Sequence, residues 1–193
     1  MKIKTITTGI IITSIIAGVA VAHEGATGIV KQRMDAMSVM GKNIKLLVPM
    51  MQGKSNYDAQ IVRDAALEIK SHSGETMTKL FPKMDMEMDM TKNVSKAKPV
   101  IWQDWDKFSD LSNQLLILTD GLAQAANNGL ADKSDANNDA AGSASMMGGS
   151  SSMMGGAPKA DPTLEELAKM PADSVFKLVT NSCAACHTQF RTD

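Results

Sequence analysis

The sequence has little of several things that other folds and activities need. Only two of its 193 residues are cysteine, which excludes a disulfide-framed miniprotein and a four-cysteine zinc site. Aromatic residues make up 4%. Neither they nor valine and isoleucine fall in alternating runs, so a sheet-rich fold is not expected. Charge of one sign is not in excess: 20 Lys+Arg against 21 Asp+Glu leave a net charge of -1, which gives no electrostatic footprint for nucleic acid. There is no Ser-His-Asp set, no Gly-rich phosphate loop and no pair of carboxylates at a telling spacing, so enzyme activity is not expected. What the chain has in quantity is methionine, at 16 residues, within an apolar content of 44%. That suffices for a core.

One long hydrophobic run stands at the start. Lys2 and Lys4 precede an apolar stretch from Ile6 to Val21, and Ala20-Val21-Ala22 supplies small residues for cleavage. This pattern is that of a secretory signal peptide over residues 1–22, cleaved after Ala22. A retained membrane anchor is the alternative, but no basic stop-transfer flank follows. The expectation is an exported protein of residues 23–193 in a bacterial periplasm, with no membrane span after cleavage.

Four segments carry helical periodicity. Ile29, Arg33, Met37, Met40 and Ile44 share one face, with Thr27 as N-cap and Pro49 expected to end the helix. Ile61, Ala65 and Ile69 mark a second helix between Asp58 and Pro82. The third opens near Pro99, with Trp105, Phe108, Leu111, Leu115, Leu118, Leu122 and Ala126 as its stripe. The fourth follows Pro171, with Val175, Leu178 and Val179 leading to the cysteines. Amphipathic helices without a sheet bury their stripes on one another, which predicts an all-α, antiparallel up-down-up-down four-helix bundle. Residues 127–160 break the pattern. They are rich in Asn, Asp, Ala, Ser and Gly and contain Ser-Met-Met-Gly-Gly twice. They read as a flexible, low-complexity insertion between helices three and four. Asp161-Pro162 then offers the start of a short helix through Met170.

Near the C-terminus stands Cys183-Ala184-Ala185-Cys186-His187. This is the CxxCH pattern of c-type haem attachment. On a helix, positions 183, 186 and 187 share a face. Two thiols at this spacing can add to the two vinyl groups of one haem, and the adjacent imidazole can ligate its iron. A thioredoxin-like CxxC would need a βαβ context that the sequence does not offer. Zinc lacks further ligands, since the only other histidines are His23 and His72. A disulfide closing so small a loop would contribute little.

Around this motif the chain resembles the class II cytochromes c, the cytochrome c′ family, and most closely its low-spin, methionine-ligated branch. The matching residues are the motif with Phe190-Arg191 after it, Ile101-Trp102 and Phe108 opening the third helix, and Arg33, Met37 and Gly41 on the first. Gly53 through Asp58 and Leu80-Phe81-Pro82 also match that branch. The resemblance covers about residues 27–127 and 171–191. It implies a single haem c held through Cys183 and Cys186, with His187 and Met37 as axial ligands. A thioether on the iron suits electron transfer with redox partner proteins. If Met37 only packs over the iron, the resemblance implies a five-coordinate protein for NO or other small diatomic gases. Arg33, one turn before Met37, and Arg191, one turn after His187, are expected as haem-pocket residues. Dimers occur in the family, which brings in a homodimer.

A third reading comes from the methionines. Met84, Met86, Met88 and Met90 alternate with acidic residues, and Met146-Met147 and Met153-Met154 add two pairs. Thioethers suit Cu(I), though methionine also serves as apolar filler.

Overall fold

A computed structural model describes residues 26–82, 95–131 and 161–192. The expected leader at residues 1–22, the methionines at 84–90 and those at 146–154 lie outside the described residues. Of the 127–160 stretch, only its first five residues are described.

The architecture is all-α, an up-down-up-down bundle of four long helices. These are α1 (Gly28–Met51), α2 (Ala59–Ser71), α5 (Trp105–Ala125) and α7 (Ala172–Phe190). Three short helices sit in the connections: α3 (Glu75–Thr78), α4 (Val100–Gln103) and α6 (Leu164–Lys169). Helix α5 is the hub, packing on α2, α6 and α7, while α1 lies on α2 and touches α7. Among the described residues no helix is long and apolar enough to cross a membrane.

Helix α1 runs two residues past Pro49 instead of ending there. A proline this late removes only one intrahelical bond. Met50 and Met51 are buried, and each such burial contributes about 1.5–3 kcal/mol. The Pro49 carbonyl accepts from the amides of Lys54 and Ser55, and Gly53 turns the chain with a φ of 65°. That left-handed conformation is open to glycine at little cost.

In α2 the buried face keeps the expected Ala65 and Ile69 but takes Val62 in place of Ile61. Val62, Ala65, Ala66 and Ile69 are buried, and Ile61 is exposed. Asp58 caps this helix as expected, accepting from the amides of Gln60 and Ile61 at 2.8 and 3.1 Å. The third helix is interrupted at Asp104, whose backbone leaves the helical region, so that α4 and α5 are separate. The short α6 starts at Thr163 and not at Asp161. Thr163 and Glu166 form a reciprocal capping box there, which satisfies two otherwise orphaned amides.

Candidate functional site

The last two turns of α7 carry the motif. Cys183 and Cys186 are half-buried and pack on the bundle core; neither is in a disulfide. His187, on the same side, is exposed. Burial raises the pKa of both thiols. That of Cys186 reaches about 11, with Cys183 beside it adding to the effect of burial. Both are therefore protonated and poorly nucleophilic at neutral pH. Desolvation of the His187 ring, followed by the nearby Arg191 charge, lowers its pKa. The imidazole is thus neutral at neutral pH, the form that binds metal.

Five of the seven aromatic residues gather beneath this turn. Phe108, 1% exposed, stands edge-on to Phe81 at 4.8 Å and to Phe190 at 5.4 Å. Trp102 and Trp105 flank the group at 6.4 Å from Phe81 and 5.7 Å from Phe108. Each such pair contributes about 0.5–1.5 kcal/mol beyond burial. Phe190 thereby ties the end of α7 to α5, three residues after His187. The Trp102 indole donates to the carbonyls of Phe81 and Pro82, so its N–H helps to hold the connection after α3.

The two arginines have different settings. Arg33 is buried on α1, with its guanidinium 4.1 Å from the Phe81 ring centroid. Its Nε donates to the Leu80 carbonyl at 2.9 Å and an Nη to Ser95 Oγ at 3.2 Å. Arg191 is exposed and lines an open cavity of about 720 Å³ together with Lys98, His187, Thr188 and Thr192. Met37 is half-buried and packs on the same core as the two cysteines, but it does not line that cavity. Lys98, Thr188 and Thr192 had no signal in the sequence. Lys98 lies far from the motif and is brought to it by a single antiparallel bridge between Ala97 and Arg191.

The family model for cytochrome c′ matches residues 28–145 of the chain. The chain belongs to the cytochrome c′ family. The matched stretch stops short of Cys183, so the attachment motif is a separate observation that agrees with it. No curated protein sequence matches. Among solved structures, cytochrome c′ from Rhodobacter Spheriodes aligns at 20% identity over 90% of this chain and 99% of its own, with a TM-score of 0.56. A nitric oxide complex of a point mutant of cytochrome c prime from Alcaligenes xylosoxidans aligns at 20% identity over 86% and 94%, with a TM-score of 0.54. A carbon monoxide-bound variant of the same protein gives the same values. At this identity the likeness establishes the fold.

Cytochromes c′ carry one covalently attached haem c, and so does this chain. The donor set fits that group: two uncombined thiols one turn apart, both held at the edge of an apolar core, with a neutral imidazole adjoining the second. The expectation of a His/Met-ligated electron carrier is overturned. The family found is cytochrome c′, whose solved relatives include nitric oxide and carbon monoxide complexes, and the methionine-ligated branch finds no support among them. The physical reason for the misreading lies in Met37. A half-buried methionine on an apolar helix face reads the same from sequence whether it fills a core or binds a metal.

Proposed function

We propose that this cytochrome c′ is a five-coordinate haem protein that binds nitric oxide and other small diatomic gases in the periplasm. The observation that carries the reading is the family match, joined to a motif whose thiols and imidazole share one face of α7. What haem c supplies when bound is an iron with one imidazole ligand and a free position for a diatomic molecule. The protein's part is to hold and to screen. Cys183 and Cys186 tether the group against the core by two thioethers, and His187 presents a neutral nitrogen. Met37, packed on the core from α1, supplies apolar bulk. Arg191, exposed on the cavity rim, is the guanidinium best disposed to meet a haem carboxylate. Arg33, buried on Phe81, holds the connection after α3. The chain's role is gas binding and not turnover of a substrate, and the leader at residues 1–22 supports export.

Titrating the dithionite-reduced holoprotein with nitric oxide tests this. The expected result is saturable binding of the gas to the haem, with a shifted Soret band. A spectrum unmoved by excess nitric oxide would overturn the reading.

A further inference from the structure

The last four carbonyls of a helix have no partner within it. In α7 these belong to the turn that carries His187. The His187 carbonyl accepts from the amide of Arg191 at 3.0 Å. Two others are taken by one residue from a distant part of the chain. Lys98 donates from Nζ to the Thr188 carbonyl at 3.0 Å and from its backbone amide to the Phe190 carbonyl at 2.9 Å. The amide of Thr192 returns the contact to the Lys96 carbonyl at 2.8 Å. The stretch before α4 therefore acts as a cap on the end of α7. An ammonium at a helix C-terminus is also favoured by the helix dipole. The same Lys98 lines the cavity beside His187, with Arg191 as the second cation there.

We propose that Lys98 is a positioning residue for His187. Its ammonium fixes the carbonyl of the next residue, and it lines the same cavity as the imidazole. Lys98 thereby helps to set the orientation of the His187 ring and the potential felt at the iron that His187 ligates. The inference rests on the function proposed above. Substitution at Lys98 separates the side chain from the backbone link, because the amide to Phe190 survives any change but proline. Methionine keeps most of the length and apolar stem while removing the donor and the charge. Arginine keeps both.

The test uses holoprotein produced with c-type maturation, as wild type, Lys98→Met and Lys98→Arg. The readouts are the iron–histidine stretching band of the reduced state, the midpoint potential, the thermal midpoint, and carbon monoxide binding. The expected result is a displaced band and a more negative potential in Lys98→Met, with Lys98→Arg returning both toward wild type. Band and potential alike in all three proteins would overturn the proposal. So would a fall in thermal midpoint alone, which is what a purely structural tie would give, or a change that arginine fails to reverse. If the wild type itself ignores carbon monoxide, the gas-binding reading falls and this inference falls with it. If the wild type binds the gas and Lys98→Met leaves the band and potential unchanged, only the role of Lys98 is lost.

Discussion

At the end of the bundle where α1 turns into α2, loops are stitched by directional hydrogen bonds. Tyr57 Oη donates to the Ala126 carbonyl at 2.6 Å, and Arg63 reaches Asn127 at 2.9 Å. Asn128 Nδ2 donates to the carbonyls of Ala168 and Met170, and the amide of Ala172 donates to that of Gly129. At the opposite end, where α7 finishes, five aromatic rings do the packing and a cation-lined cavity stays open beside His187. The contrast separates two tasks. The first end fixes the order and spacing of the helices by polar contacts that need no cofactor. The second is held by a buried aromatic group with Arg33 laid on Phe81, and leaves Lys98 and Arg191 at an open cavity beside His187.

Four variants sharpen that contrast, from the largest effect to the smallest. Replacing Cys183 and Cys186 together with alanine removes both tethers. The mass of the matured chain is then expected to fall by one whole haem, with mass spectrometry under denaturing conditions as the check. Phe108→Ala takes out the ring at the centre of the aromatic group. It is expected to cost about 3–5 kcal/mol and to disturb the haem spectrum as well, measured by denaturant unfolding and absorption.

Gly121→Ala attacks the other side of the molecule. A Cβ there would lie 2.6 Å from Leu167 Cβ, too close for either α5 or α6 to keep its place. A cost of about 1–3 kcal/mol is expected from overpacking, with the spectrum unchanged. A spectral change equal to that of Phe108→Ala would mean the two ends are not separable. Tyr57→Phe removes one hydrogen bond and should cost about 0.5–1.5 kcal/mol. It also has a pH signature. The phenol pKa of Tyr57 is raised, first by burial and then by Asp173, with Arg63 opposing. The folded state thus holds this proton more tightly than the unfolded chain. The stabilisation is complete below the ordinary phenol value of 10.0 and is lost as pH rises through the raised one. Unfolding curves of wild type and Tyr57→Phe should therefore converge in strong alkali.

Much of this was legible before the fold was known. Helix periodicity located all four long helices, since Leu115, Leu118 and Leu122 on α5 and Val175 and Val179 on α7 follow a 3.6-residue period whatever they pack on. The motif at 183–187 was legible because its spacing is set by covalent chemistry. Register was harder. Ile61 and Val62 are both strongly apolar, and which one is buried depends on how α2 packs on α1 and α5. Helix ends were hard where tertiary burial outweighs a local breaker, as at Pro49. The setting of Arg33 against Phe81, and of Lys98 against Thr188, depends on contacts across 48 and 90 residues of chain. No local pattern encodes these. Met37 is ambiguous in the sequence because the residue type suits both packing and ligation.

The central claim is that the haem iron of this protein has one protein ligand, His187, and an open position opposite. Electron paramagnetic resonance and absorption spectra of the purified ferric holoprotein at neutral pH address it directly. The account predicts a high-spin signal, changed little by Met37→Ala. A low-spin wild type that turns high-spin only when Met37 is removed would contradict it.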